Sequence, residues 1–414
     1  MFVRRTAAVL AATAVIGAVV APAAFAADSS PSPSPSAALP SGLFGSTDPT
    51  YDGVWRQSLA LLAQHTAGVT SAVKAVDWLT GQQCANGAFA AYRAEATAAC
   101  DAKTQIDTNS TAAAVQALAA LPGNDDATGR AVTWLKSVQN TDGGWGYMAG
   151  GASDANSTSV VIGALQAVGK KPQNVSKDGK SPYDALVKLS MPCKGEGGGA
   201  FAYQPDKKGK LAANADATAA GVLGGLGEGF VAEAGGLPYS RTRCATADSP
   251  GPLDAAGNGA NYLATALAKA PYLKSALPGA ADQPDYGNTA DAVVALAADG
   301  ATKLARKPLA WLEKNSAGWA AESGPAAYAQ LIFAAHATGT DPRDFGGKDL
   351  VALLGATGPT PGAAGASATP SETKKDEKKD NGNGLGVWWI VGVGLVAGIG
   401  IGFLISGRNK KQQL

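Results

Sequence analysis

The residues able to carry chemistry in this chain recur as a set. Asp107 and Asn109, Asp154 and Asn156, Asn214 and Asp216, and Asp285 with Tyr286 each open a run of Ala, Val, Gly and Leu. Carboxyls grouped in this way suit general acid–base work, because one can hold a proton while its neighbour is ionised. The same residue types also accept hydrogen bonds from the free N–H groups of a first helical turn and offset the positive end of its dipole. Both readings stay open at the level of sequence. Beside the polar openings lie Gly-rich loops bearing Phe89, Trp145, Tyr147, Phe201, Tyr203 and Trp319. Such rings serve either as a stacking platform for a ligand or as a plug in the core.

Other reactive groups are scarce. The chain has two His, His65 and His336, with no evident Asp or Ser partner in sequence, so neither a triad nor a metal centre is expected. The four Cys sit outside the helical runs and bracket loops, and the pairs Cys84–Cys100 and Cys193–Cys244 are expected as disulfides in an exported chain, leaving no free thiol nucleophile. Lys and Arg number 34 against 33 Asp and Glu, and a formal charge of +1 excludes the basic footprint of a nucleic-acid binder. No cofactor, metal or catalytic residue is assigned on these grounds.

The elements that position the polar openings repeat. Trp78-Leu79 is followed by Gln83, Gly87 and Phe89, and Trp134-Leu135 by Gln139, Gly143 and Trp145; the two aromatics are 11 residues apart in both copies. Each copy reads as an amphipathic helix, a Gly-aromatic loop and a nearly all-apolar helix that must be buried on most sides. The apolar helices are expected over 51–65, 107–121, 154–168, 214–226, 285–298 and 322–338, and the amphipathic ones from near Val69, Ala127, Ser181, Gly259, Lys303 and Asp344. The first element is apolar and the last amphipathic, and Gly42-Leu43-Phe44-Gly45 looks like the loop that should follow 349–354. A repeat split between the ends favours a closed ring over an open solenoid, which would need polar caps.

This pattern resembles the alpha/alpha toroid superfamily with prenyltransferase and squalene-cyclase type repeats, on the match Trp-Leu-x-x-x-Gln-x-x-x-Gly-x-aromatic at Trp78 to Phe89 and Trp134 to Trp145. The resemblance implies an all-α, alpha6/alpha6 toroid over 42–355 whose polar openings and loop aromatics line one mouth, where ligands bind. The family's catalytic signatures do not carry over. An Asp-x-Cys zinc motif is replaced by Asp107-x-Asn109, Asp154-x-Asn156 and Asn214-x-Asp216. No Asp-x-Asp-Asp run is present, Asp125-Asp126 lacks a following Asp, and Cys193 has Glu196 where a thioester needs Gln. The chain is also similar in style to the exported cobalamin carriers transcobalamin and intrinsic factor, though without their second domain.

The ends complete the expectation. Residues 1–26 read as a signal peptide and 27–41 as a Ser/Pro-rich linker. Residues 356–385 form a Pro/Gly/Ala then charged linker, 386–405 an uncharged stretch long enough for a transmembrane helix, and 406–414 a basic cytoplasmic tail. Sequence therefore suggests a single-pass membrane protein with an extracytoplasmic toroid that binds a small-molecule or polymer ligand, or a transporter or surface partner, without catalysis. Its alternatives are an enzyme, either terpenoid-cyclase/prenyltransferase-like or a carboxylate-based lyase or hydrolase, and a structural spacer or adhesin.

Overall fold

The computed structural model describes residues 39–235, 244–245, 250–275 and 282–360. Helices dominate: α1 (Gly53–Thr66), α2 (Val73–Gly81), α3 (Thr108–Ala119), α4 (Asp125–Ser137), α5 (Ala155–Ala167), α6 (Pro182–Leu189), α7 (Ala215–Leu226), α8 (Pro252–Lys269), α9 (Tyr286–Ala298), α10 (Thr302–Asn315), α11 (Ala317–Ser323), α12 (Pro325–Thr338) and α13 (Leu350–Gly355). Two antiparallel ribbons join loop to helix start, with Phe89 opposite Asp107 in one and Leu273 opposite Asp285 in the other. The fold is all-α, as expected from the periodicity.

Apolar and amphipathic helices alternate because their faces differ. In α3, α5 and α9 nearly every side chain is buried, whereas α4 and α10 bury one stripe and expose the rest. Each apolar helix packs on its amphipathic successor, as α3 on α4, α7 on α8 and α9 on α10. The apolar helices also pack on one another in the order α1, α3, α5, α7, α9, α12, and α12 packs on α1. The Gly42-Leu43-Phe44-Gly45 loop meets the segment after α13: the Gly45 N–H donates to Thr357 O at 2.7 Å, and Gly358 lies against the Phe44 ring.

Two repeats are locked by the same glutamine clamp. Gln83 Nε2 donates to Gly87 O (3.0 Å) and across to Ala127 O (2.8 Å), and Gln139 Nε2 to Gly143 O (2.8 Å) and Val175 O (3.4 Å). The repeat glutamine thus clamps its own loop to the next unit. The loop aromatic is then tied to the next apolar helix by a threonine. Thr111, Thr158 and Thr218 Oγ accept from the N–H of Phe89 (2.9 Å), Trp145 (3.1 Å) and Phe201 (2.9 Å), and Thr289 accepts from Leu273 (3.0 Å). Converting Thr158 to Val keeps the shape but leaves a buried N–H without an acceptor, so a loss of about 1–3 kcal/mol in denaturant unfolding is expected.

Several expectations are corrected or fall outside the description. Helix α8 begins at Pro252, ahead of the expected Gly259, because Pro at the first position and Asp254 in the first turn make a strong start. Helix α4 begins two residues ahead of the expected Ala127, and Asp125 and Asp126 form its first turn, where they complement its dipole. Trp319 lies within the short helix α11 and not in a loop. The single-pass localisation is corrected too: among the described residues no helix is long and apolar enough to cross a membrane. The stretch 386–405 that suggested a span, residues 1–26, expected as a signal peptide, and residues 406–414, expected as a tail, lie outside the described residues. The two expected disulfides, Cys84–Cys100 and Cys193–Cys244, are present.

Candidate functional site

The starts of the apolar helices hold most of the expected polar residues, and the structure sorts them into two kinds. Asp107, Asp154, Asn214 and Asp285 are N-caps, accepting backbone N–H bonds from Ser110 (2.6 Å), Ser157 (2.6 Å), Ala217 (2.8 Å) and Asn288 (3.0 Å). Extended backbone at each cap aims the side chain back over the first turn. Asn109, Asn156, Asp216 and Tyr286 follow the caps and do not cap. Asn156 Nδ2 reaches from α5 to Asp216 Oδ2 on α7 at 2.6 Å, while its Oδ1 is buried without a partner.

The aromatics divide as well. Phe89, Trp145 and Phe201 are fully buried in the core, and the Trp145 indole donates to Leu135 O at 2.7 Å. They pack the repeat and offer no face to a ligand. Tyr147, Tyr203, Tyr286 and Trp319 stay partly exposed. Tyr286 stacks on Trp311 (5.0 Å) and Trp319 (5.5 Å), and Trp311 meets Tyr272 (4.8 Å).

A residue absent from the sequence-derived set joins this group. Asp291, in the second turn of α9, receives Gln330 Nε2 from α12 at 3.1 and 3.0 Å on its two oxygens. Both lie one or two turns inside otherwise apolar helices. An acid and an amide placed within Ala/Val runs were the available signal, because a charged side chain on a helix buried nearly all round costs free energy unless it lines a recess.

Electrostatics links these groups to one another. Asp216, Asp285 and Asp291 are each partly accessible to solvent. Burial nonetheless raises all three carboxyls, the combination expected for side chains lining a concave surface. Asp291 is displaced furthest, to about 8, by burial and then by the carboxylate of Asp216, with the Gln330 amide opposing and Asp285 adding. Asp216 is pushed up to about 6 by burial, with the Asn156 amide opposing. Asp107 and Asp154 also rise to about 6 through burial, against their capping bonds. Burial and then the neighbouring carboxylates raise the phenols of Tyr147, through Asp107, and of Tyr203, through Asp154 and Asp216. Asp291, the most strongly raised of these carboxyls, thus has the carboxylates of Asp216 and Asp285 as its charged neighbours.

No family model matches the chain. A stretch of 92 residues, 21% of the chain, is 36% identical to drimenyl diphosphate synthase from Streptantibioticus cattleyicolor and covers 16% of that protein. The similarity is local. The chain spans about a sixth of the length of the curated relative it matches. The crystal structure of a protein from Actinoplanes aligns over 72% of this chain and 80% of that one, at 16% identity and a TM-score of 0.45.

A separate cavity of about 350 Å³ lies away from the acids, where α1 and α12 end, and is lined by Thr66, Ile332, His336, Thr340, Asp341 and Arg343. His336 Nε2 pairs with Glu233 at 2.8 Å beside it. Among the described residues no group of three or more His, Cys, Asp or Glu is arranged to hold a metal ion.

Proposed function

We propose that this chain is an alpha/alpha toroid of terpenoid-cyclase type, with an isoprenoid-binding recess at the starts of the apolar helices and Asp291 as its proton donor. The cyclic order of neighbours from α1 through α12 back to α1 supports the toroid. The local similarity to drimenyl diphosphate synthase supports the substrate class. The observation that carries the reading is the Asp291–Gln330 pair, an acid and an amide set inside two otherwise apolar helices with Gln330 and the Trp319 ring brought together at Gly287; burial, which pushes Asp291 up to about 8, supports its keeping a proton at neutral pH.

The chemistry is a protonation of a carbon–carbon double bond. The Asp291 O–H proton passes to one alkene carbon, the π pair forms the new C–H bond, and the O–H pair stays on the carboxylate. Positive charge then develops on the other carbon, where aromatic faces and the Asp216 and Asp285 carboxylates stabilise it. Loss of a proton from the ligand back to Asp291 closes the cycle, so the net change is an isomerisation or ring closure. Acids drawn from two helices, Asp216 on α7 and Asp285 with Asp291 on α9, would take the place of the missing contiguous acid run.

The reading is tested by incubating the full chain with linear isoprenoid alcohols, diphosphates and hydrocarbons in deuterated water and analysing extracts by mass spectrometry. A product carrying deuterium is expected with the wild type and not with Asp291→Asn. Binding or turnover of none of these compounds would overturn the reading. A second reading, capture of a ligand without turnover, is supported by the capping duty of Asp107, Asp154, Asn214 and Asp285; it expects binding with no deuterated product.

A further inference from the structure

We infer that the recess between α7, α9 and α12 binds an organic cation, an ammonium group recognised jointly by carboxylates and by the stacked rings of Tyr286 and Trp319. The inference rests on the recess being the ligand site, as proposed above, and not on any turnover there.

Four observations converge. The charged neighbours that act on Asp216 and Asp291 are other carboxylates, Asp285 among them, so the recess concentrates negative charge that a bound cation would offset. Asn156 is about nine-tenths buried and its amide is turned onto Asp216, yet its Oδ1 has no donor. Gln330 Oε1, on the other side of the acids, is buried and equally without a donor. A ligand bearing N–H or polarised C–H groups satisfies such orphaned acceptors, whose desolvation is otherwise uncompensated.

The fourth observation is the aromatic wall. Gly287 follows Tyr286, and a Cβ there would meet Gln330 Oε1 at 3.3 Å and Trp319 Cζ2 at 3.6 Å. The missing side chain leaves the orphaned amide oxygen and the Trp319 ring next to one small space, with Tyr286 stacked on Trp319 beside it. Aromatic faces next to carboxylates are the arrangement that recognises ammonium groups, through the ring quadrupole and Coulomb attraction together. A neutral isoprenoid gains from the rings but not from the carboxylates, so charge is the discriminating property.

The test compares choline with 3,3-dimethylbutan-1-ol, which replaces its quaternary nitrogen by carbon and keeps its shape. Calorimetric or NMR titration of the full chain at neutral pH is expected to show choline binding at least 10-fold more tightly than the isostere. Asp216→Asn keeps an acceptor for Asn156 and removes the charge, and is expected to weaken choline at least 10-fold while leaving the isostere unchanged. Trp319→Leu should weaken both, and circular dichroism confirms that each variant is folded. Equal affinity for the two compounds, no binding of choline, or an Asp216→Asn variant that binds choline as well as the wild type would overturn the inference. Each of those results leaves the deuterium experiment free to succeed, so the two failures are distinguishable.

Discussion

Replacing Gly143 by Val is expected to lower folding stability by about 5 kcal/mol, enough to unfold the domain in mild denaturant. Gly143 has φ +92, a region that side chains avoid, and β-branched ones most of all. A Cβ there would also fall onto the Ser181 carbonyl, 2.6 Å from its carbon and closer still to its oxygen. Ser181 cannot yield cheaply, because it is the N-cap of α6 in a capping box with Asp184. Strain and clash therefore add to a lost cap. Gly150 is the control: its φ is +77 but nothing lies within 4 Å of a Cβ, so Gly150→Ala carries only the backbone penalty, about 1 kcal/mol. Urea titrations of the two variants followed by circular dichroism give the comparison. Equal losses would show that the loop does not pack on α6 as described.

The second large effect concerns pH. Asp291 has a folded-state pKa of about 8, against about 3.9 in an unfolded chain. The native state holds this proton where the unfolded state has released it. Native stability is thus full below about pH 4, declines as pH rises, and has lost the whole contribution above about 8. Asp107, Asp154 and Asp216, raised to about 6, act in the same sense mainly at lower pH, so Asp291 dominates the upper part of the range from 6 to 8. Asp291→Asn keeps the acceptor for Gln330 and cannot ionise. It is expected to flatten the decline between pH 6 and 8 and to be more stable than the wild type at pH 8 by about 2 kcal/mol, the discounted value of a large shift in a recess that water reaches. Thermal unfolding across that range measures it; parallel wild-type and variant curves would contradict the assignment.

Much of the fold was legible because two periods coexist in the sequence. Apolar runs with polar openings marked α1, α3, α5, α7 and α9 to within two residues, and Trp78 and Trp134 marked their amphipathic partners. The Gln83 and Gln139 spacing was visible, but its purpose was not: the clamp onto Ala127 and Val175 joins residues far apart in sequence. Thr111, Thr158, Thr218 and Thr289 each stand four residues after the cap, a regularity present in the sequence whose bond to a loop N–H appears only in three dimensions.

The site was less legible for the same reason. Caps and ligand-facing acids have one composition, so Asp107 and Asp216 look alike until Ser110 is seen bonded to the first and Asn156 to the second. Loop aromatics were equally ambiguous, and burial separates Phe89, Trp145 and Phe201 from Tyr286 and Trp319. Asp291 was overlooked because it opens no helix. Its role depends on Gln330, which comes from another helix 39 residues later.

The central claim, that the recess keeps one carboxylic acid protonated at neutral pH, is tested most directly by carboxyl-carbon NMR of aspartate-labelled protein titrated from pH 4 to 9. One carboxyl resonance is predicted to titrate near 8 and to disappear in Asp291→Asn. A wild-type spectrum in which every aspartate titrates near its ordinary value of about 4 would contradict it.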